Sequence, residues 1–210
     1  MARKPASPDV DTLSDIRDGA FRLFGRHGYD GVSIDQIAKA AGLSKGALYW
    51  HFKGKEDLFL DCLKRLHGLF DEHIFAQMVN EPDAVARLMG MFRGVAGLIE
   101  DKRLSDGVAG YWLVGGSHID AIRKAQENFE QRNAESVRET LQLGIDQGKM
   151  DLDGDLDDMS RAVIAVLEAI ILPLRSQSAE EIHRLIGVLA RTMMRAYTKD
   201  QQLVELFRQV

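Results

Sequence analysis

The sequence predicts an all-α protein made of a small N-terminal head and a larger helical body. Two observations indicate this class. Apolar residues recur at spacings of three and four, the period of an amphipathic helix, through most of the 210 residues. Only four prolines occur, and few runs alternate between apolar and polar residues as half-buried strands do. We expect a flexible arm at residues 1–12, a first domain at 13–54 and a second domain at 55–210.

The first helix of the head shows this period clearly. Its apolar face would carry Leu13, Ile16, Ala20, Leu23 and Phe24. Gly28 follows the last turn, where glycine accommodates the left-handed conformation that ends many helices. The spacing therefore predicts one helix that ends just before Gly28.

Two short helices follow, each with its own start signal. Ser33 and Gln36 form an S-x-x-Q capping box, which places the start of one helix at the residue after Ser33. Gly42 ends that helix, and Ser44 caps a second helix that opens at Lys45. Two short helices joined by a tight turn with glycine make up a helix-turn-helix, which places its second helix in the major groove of DNA.

An aromatic and basic segment follows the second short helix. It reads Tyr49, Trp50, His51, Phe52, Lys53, Gly54 and Lys55. Lys55 would open the next helix, where a cation opposes the macrodipole and costs roughly 0.3 kcal/mol or more. A bound phosphate would reverse that cost, because helix N-termini and lysine side chains both attract anions. The segment therefore predicts an anion-binding surface beside the helix-turn-helix.

At this spacing, residues 13–60 resemble the tetracycline-repressor (TetR) family of bacterial regulators. The matching residues are Gly28, Tyr29, Ser33, Ile37, Ala38, Ala41, Gly42, Leu43, Ser44, Gly46, Tyr49, His51, Phe52, Lys55, Glu56 and Leu58. The resemblance implies a homodimeric repressor whose partners are a pseudo-palindromic operator in double-stranded DNA and a small-molecule effector. An activator on the same fold is one alternative. A ligand-binding or catalytic helical protein with an idle head is another, but the retained Lys45, Tyr49 and Lys55 argue against it.

The resemblance also implies roles for individual residues of the head. Lys45 and Ala47 would face base edges, Lys45 towards guanine or phosphate and Ala47 towards a thymine methyl group. Phosphates would be held by Ser33, Ser44, Tyr49, His51 and Lys55, with Trp50 in the same DNA-facing cluster. Gly46 would permit close approach of the two short helices. The expected interface is a recognition helix flanked by side chains that bind the DNA backbone.

The body is predicted to contain five further helices, at about 55–79, 82–99, 119–147, 156–172 and 179–197. The helix that starts near Pro82 has a clean apolar face, yet it also carries Gly90, Gly94 and Gly97. Each of these glycines costs roughly 1 kcal/mol relative to alanine. They indicate either close helix packing or a helix that yields when a ligand enters.

Pocket and dimer residues in the body follow from the resemblance rather than from a motif. Dimerisation is implied through residues 156–174 and 179–197, as a four-helix bundle with a second copy. Candidates for the effector pocket are Met89, Phe92, Tyr111, Trp112 and His118. Such side chains line adaptable pockets, but they are also ordinary core residues. Glu168, the odd residue in an apolar helix, would either select a cationic ligand or form a half-exposed ionic edge.

Charge and cysteine content narrow the partners and the compartment. The net charge is −5, but residues 1–60 hold nine lysines and arginines against eight acidic residues. A near-neutral head predicts positive charge focused on one face and a moderate salt dependence of DNA binding. The single cysteine, Cys62, allows no intrachain disulfide. Because we find neither a secretory signal nor a membrane-spanning apolar stretch, we expect a cytoplasmic protein.

Two patterns that suggest catalysis or metal binding fail on their surroundings. Residues 42–46 satisfy G-x-S-x-G, but a hydrolase elbow needs a buried strand before its serine, and a capped helix precedes Ser44. Asp151 opens an acidic run that resembles a calcium loop, yet Leu156 and Ala162 stand where glycine and glutamate are required. We therefore expect no catalytic residue, no metal and no cofactor.

Overall fold

The computed structural model describes residues 8–104, 107–112, 119–174 and 178–207. Within these ranges the chain is helical and contains no β-strand, which confirms the predicted all-α class. The helices are α1 (Pro8–His27), α2 (Ile34–Ala40), α3 (Lys45–His51), α4 (Lys55–Phe70), α5 (Ala84–Glu100), α6 (Ala109–Trp112), α7 (Asp120–Asp146), α8 (Leu156–Leu174), α9 (Ala179–Tyr197) and α10 (Gln201–Leu206). A π-helical turn (Asp71–Phe75) follows α4, and a 3-10 turn (Lys102–Leu104) follows α5.

The chain divides into two compact units. The first comprises Met1–His67 and Asp106–Gln126, and the second comprises Gly68–Ser105 and Glu127–Val210. Two of the three divisions fall inside helices, in α4 and in α7. The predicted boundary between residues 54 and 55 stays a prediction, because α4 contributes residues to both units.

The first helix is longer than the apolar pattern indicates, because α1 begins at Pro8. Residues 8–12 of the predicted arm are therefore helical, while residues 1–7 lie outside the described part of the chain. Proline fits the first turn of a helix, since the N–H that it lacks has no partner there. At the other end Gly28 follows α1 with a φ of 71°, as predicted.

The core of the first unit is formed by side chains of α1, α2, α3 and α4. Its fully buried side chains include Ile16, Phe24, Ile37, Leu48, Leu58 and Phe59. α6 lies so close to α1 that a Cβ atom on Gly110 would stand 2.0 Å from the carbonyl oxygen of Phe24. Nearer the surface, the guanidinium of Arg17 donates to both carboxylate oxygens of Asp61 at 2.8 Å. This core and ion pair form the base on which α2 and α3 are held.

The predicted helix at 55–79 is wrong in its second half. α4 ends at Phe70, and the π-helical turn and further turns occupy residues 71–80. The amide of Ala76 donates to the carbonyl oxygen of Asp71, five residues back, at 2.8 Å. Phe70, Ile74 and Met78 are buried and four residues apart. Side chains four residues apart share one side of a helix, so this spacing alone does not distinguish an α-helical from a π-helical turn.

α5 packs against the π-helical turn through its glycines. A Cβ atom on Gly94 would lie 2.1 Å from the carbonyl oxygen of His73, and one on Gly97 would lie 3.2 Å from Nδ1 of the same residue. A Cβ atom on Gly90 would make only an ordinary contact, 3.5 Å from Cβ of Gln77. Close packing therefore explains Gly94 better than a yielding helix does.

The other helices of the body have bounds close to the predicted ones. α9 spans the predicted residues, and α7 is one residue shorter at each end. α5 starts after Asp83, whose side chain caps it, rather than at Pro82. Ile145, near the end of α7, is 37% exposed. Gly144 faces inward in its place, against the side chain of Met150.

α9 carries two apolar faces. On one face Ile182, Ile186, Ala190, Met194 and Tyr197 are buried. On the other face Leu185 and Val188 are exposed, and Leu189 and Met193 are half-buried. Val166 of α8 is exposed as well. The single chain therefore leaves apolar side chains of α8 and α9 open to solvent.

A further helix, α10, follows α9, and the sequence pattern did not predict it. Phe207, directly after α10, is fully buried against Phe92 of α5, with ring centroids 6.1 Å apart. Its carbonyl oxygen accepts from the guanidinium of Arg191 at 3.2 Å. Within the described ranges no helix is long and apolar enough to cross a membrane.

Candidate nucleic-acid interface

The capping box that the sequence predicts builds the start of α2. The Ser33 hydroxyl accepts from the Gln36 amide at 3.2 Å, and the Gln36 side chain accepts from the Ser33 amide at 2.7 Å. The same hydroxyl donates to Oε1 of Gln36 at 2.9 Å. A phosphate at this position would therefore compete with Gln36 for the hydroxyl proton of Ser33.

The turn from α2 into α3 is equally local in origin. Gly42 has a φ of 69°, a left-handed conformation that glycine adopts without strain. Ser44 caps α3 by accepting from the amide of Ala47 at 3.2 Å, which leaves its O–H able to donate to a phosphate. Because a helix and not a strand precedes Ser44, its surroundings are those of a cap and not of a hydrolase nucleophile.

Gly46 does not have the packing role that was predicted for it. A Cβ atom there would meet only the hydroxyl of Ser44, at 3.9 Å, an ordinary van der Waals distance. Close approach of α2 and α3 therefore does not depend on glycine, and that prediction is wrong. Gly46 instead leaves bare backbone on the exposed first turn of α3.

Lys45, predicted to face base edges, lies at the start of α3. Its ammonium pairs with Asp35 of α2, with 3.1 Å between Nζ and Oδ2. The Lys45 side chain is 51% exposed and that of Asp35 is 69% exposed. Such an exposed ion pair is worth little, about 0–1 kcal/mol, so Lys45 can exchange Asp35 for another partner.

Aromatic side chains at the end of α3 are exposed to solvent. Trp50 is 89% exposed and Tyr49 is 49% exposed, while His51 is half-buried. Phe52, directly after the helix, is buried and anchors the segment in the core. Tyr49 and Trp50 belong to α3, the predicted recognition helix. Each therefore offers a partner an apolar ring surface and a polar edge.

Lys55 is held inside the head by Tyr29. Its ammonium donates to the carbonyl oxygen of Tyr29 at 3.0 Å and lies 4.1 Å from the centroid of the Tyr29 ring. These contacts offset the unfavourable position of a cation at the first residue of α4. An ammonium group has three donors, so one bond to Tyr29 still leaves donors for a phosphate.

The predicted effector residues are divided between the two units. Tyr111 and Trp112 belong to the first unit, Met89, Phe92 and Glu168 belong to the second, and His118 lies outside the described residues. Tyr111 is fully buried, and its hydroxyl donates to the carbonyl oxygen of Phe21 at 3.1 Å. Tyr111 and Phe92 thus have the contacts of core residues, and Met89 and Trp112 are half-buried.

Glu168 lines a groove between α7 and α8 in the second unit. The groove has a volume of about 630 Å³. Its lining includes five acidic side chains, Glu127, Glu130, Glu135, Asp157 and Glu168, and two arginines, Arg138 and Arg161. Partial burial and the neighbouring Glu127 raise the pKa of Glu130. In the described ranges no group of three or more histidine, cysteine or acidic side chains is placed to hold a metal ion.

The structure adds Asp35 and Tyr29 to the predicted interface residues. Asp35 precedes Lys45 by ten residues, and Tyr29 precedes Lys55 by 26. Neither separation is a helical spacing, so periodicity could not reveal the pairs. The sequence shows Asp35 as an acidic residue in the first turn of α2. Its pairing with Lys45, however, depends on the angle that the turn sets between α2 and α3.

Comparison with known proteins places these features in one group of regulators. The family model for bacterial regulatory proteins of the tetR family matches residues 16–62. The chain is 51% identical over 168 residues to the HTH-type transcriptional regulator AcrR of Shigella flexneri, covering 78% of this chain and 77% of that protein. It is 27% identical over 179 residues to the HTH-type transcriptional repressor AcnR of Corynebacterium glutamicum, covering 82% of this chain and 86% of the repressor.

Solved structures share the fold. A TetR transcriptional regulator from Chloroflexus aurantiacus J-10-FL superposes with a TM-score of 0.74 at 22% identity, covering 90% of this chain and 96% of the other. The regulator FadR of Bacillus subtilis, solved in complex with stearoyl-CoA, gives a TM-score of 0.66 at 19% identity, with 93% and 97% covered. At these identities the likeness establishes the fold alone.

Proposed function

Because the chain belongs to the tetR family of bacterial regulatory proteins, it is a DNA-binding transcription regulator, and we propose that it acts as a homodimeric repressor. Its two heads enter successive major grooves of a pseudo-palindromic operator. The observation that carries the proposal is the capped α2–turn–α3 segment with Lys45, Tyr49 and Trp50 on its exposed surface. As a DNA-binding protein it would act in the cytoplasm.

The residues of this segment and the first residue of α4 have separate proposed roles. Lys45 donates to guanine or to a phosphate, and Ala47 contacts a thymine methyl group. Trp50 lies against the sugar and base edges, and Gly46 lets the DNA strand approach the start of α3. Backbone phosphates are contacted by Ser33, Ser44, Tyr49, His51 and Lys55. Because alanine distinguishes few bases, sequence preference depends on Lys45 and on the shape of the DNA.

The dimer is proposed to form through α8 and α9. The apolar side chains that the single chain leaves exposed there, Val166, Leu185 and Val188, support this face. Leu185→Asp would place a charge in the interface and convert the dimer into a monomer. Ile145→Asp, at another exposed apolar residue outside the face, is the matched control. A wild-type protein that sediments as a 23.5 kDa monomer at micromolar concentration would contradict the dimer.

A small molecule bound by the second unit is proposed to release the operator. It needs only a higher affinity for a state in which the spacing of the two heads no longer fits the operator. The acidic groove beside Glu168 supports a cationic effector. Glu168→Gln should then weaken binding of cationic effectors several-fold and leave operator binding unchanged. Equal weakening of a neutral effector would remove Glu168 as the selecting charge.

The central experiment is fluorescence anisotropy on a duplex selected by the wild-type protein from random sequence, against a scrambled competitor at about 150 mM salt. Tight binding that survives the competitor supports a regulator with its own operator. If the selection returns no preferred sequence and binding disappears with salt, the head is idle and the proposal fails.

A further inference from the structure

We propose that Asp35 is a specificity-determining residue of the head, which competes with DNA phosphates for Lys45. In this view the carboxylate keeps Lys45 occupied on non-specific DNA and yields it only where a base edge offers a better partner. The inference rests on the proposed DNA-binding function and adds to it a residue outside the set of side chains assigned to DNA.

The geometry places an internal anion where a DNA anion would be bound. Oδ2 of Asp35 lies 3.1 Å from Nζ of Lys45, a normal distance for a charge-assisted hydrogen bond. Both residues belong to first turns, Asp35 to α2 and Lys45 to α3. The carboxylate therefore satisfies the same ammonium group that a phosphate or a guanine acceptor would use.

The pair is weak enough to exchange. Both side chains are more than half exposed, and an exposed ion pair of this kind shifts an equilibrium by up to about fivefold. A phosphate alone gains little by replacing Asp35, because one carboxylate contact is exchanged for one phosphate contact. A guanine that accepts through O6 and N7 adds geometry that the carboxylate does not supply.

The head is nearly neutral, so a single carboxylate has a large effect on its net charge. Residues 1–60 carry nine basic and eight acidic residues, a net charge of +1. Lys55 shows the contrast, because its partner is the neutral carbonyl of Tyr29, which does not repel DNA.

The test compares wild type with Asp35→Asn, which keeps the shape and removes the charge. Asp15→Asn, at an exposed carboxylate of α1 in the same unit, changes the head by the same charge and is the matched control. Anisotropy is measured from about 50 to 300 mM salt on two probes, the duplex selected by the wild-type protein and a scrambled duplex of equal length. Circular dichroism confirms that each variant is folded.

Asp35→Asn should bind the scrambled duplex about threefold to fivefold more tightly than wild type. The slope of log K against log salt should steepen by about 0.9, the value for one added phosphate contact. Affinity for the selected duplex should rise less, so the ratio of the two affinities falls. In a Lys45→Met background, the change in slope caused by Asp35→Asn should vanish.

Two results would overturn the inference. In the first, Asp35→Asn behaves like Asp15→Asn on both duplexes. In the second, the effect of Asp35→Asn on the slope persists in the Lys45→Met background. Failure of the proposed function is distinct, because there the wild-type protein itself would show no preference for any selected duplex.

Discussion

Gly94→Ala offers a direct test of how α5 is packed. The new Cβ atom would lie 2.1 Å from the carbonyl oxygen of His73 and 2.8 Å from its carbonyl carbon. Both neighbours are backbone atoms, so no side-chain rotation can relieve the clash. The π-helical turn and α5 would have to separate by more than about 1 Å, and overpacking of this kind costs about 1–3 kcal/mol or more.

The expected free-energy change combines two opposing effects. Alanine favours a helix interior by about 1 kcal/mol relative to glycine, and the overpacking exceeds this gain. We expect Gly94→Ala to lower the free energy of unfolding by about 2 kcal/mol, which lowers Tm by roughly 4–8 °C for a chain of this length. Gly90→Ala, on the same helix, meets only Gln77 at 3.5 Å. It should raise stability by up to about 1 kcal/mol.

The assay is thermal and urea unfolding followed by circular dichroism at 222 nm, at one protein concentration because dimerisation shifts Tm. Opposite signs for the two variants would establish that Gly94 is required by packing. The packing explanation would be refuted if Gly94→Ala and Gly90→Ala both had the stability of wild type. Glycine at position 94 would then serve the flexibility of α5 instead.

Three further predictions concern buried polar groups. Tyr111→Phe should cost about 1 kcal/mol, since it removes the hydrogen bond to Phe21, and should leave effector affinity unchanged; a weaker effector complex would restore Tyr111 to the pocket. Asp101→Asn should destabilise the protein by about 2 kcal/mol at pH 7, because hydrogen bonds from Arg103 hold the pKa of Asp101 well below its usual range. That difference should shrink as the pH falls below about 4 towards the depressed folded pKa, where wild type loses the same contribution; urea melts at several pH values would show a constant difference if the reasoning is wrong. Burial raises the pKa of the Cys62 thiol to about 12, so iodoacetamide at pH 8 should label the native protein at least about a hundredfold more slowly than the unfolded chain, as mass spectrometry would show.

The parts of the fold that local sequence determines were predictable. Ser33 with Gln36, and Ser44 with the amide three residues on, specify the starts of α2 and α3 within four residues. α9 likewise begins after Ser178, whose hydroxyl accepts from the amide of Glu181. Capping uses neighbours in the chain, so the sequence contains both partners at a fixed spacing.

The parts that depend on distant contacts were not predictable. The π-helical turn lies against Gly94 of α5, a contact that no local sequence signal reports. The partner of Lys45 lies on another helix. The exposed apolar face around Leu185 can be identified only once the buried face of α9 is known. The proposed effector site shares this difficulty, since a pocket forms from residues far apart in sequence and has no fixed motif.

The π-helical turn also affects how this chain is matched to its relatives. A turn closed by an i→i+5 bond contains one residue more than the α-helical turn that it replaces. A relative with an uninterrupted fourth helix would therefore need a one-residue gap opposite Asp71–Phe75. An alignment that placed the gap in the nearby loop instead would compare each residue from Ala76 to Met78 with the wrong neighbour, rotated by about 100° around the helix axis.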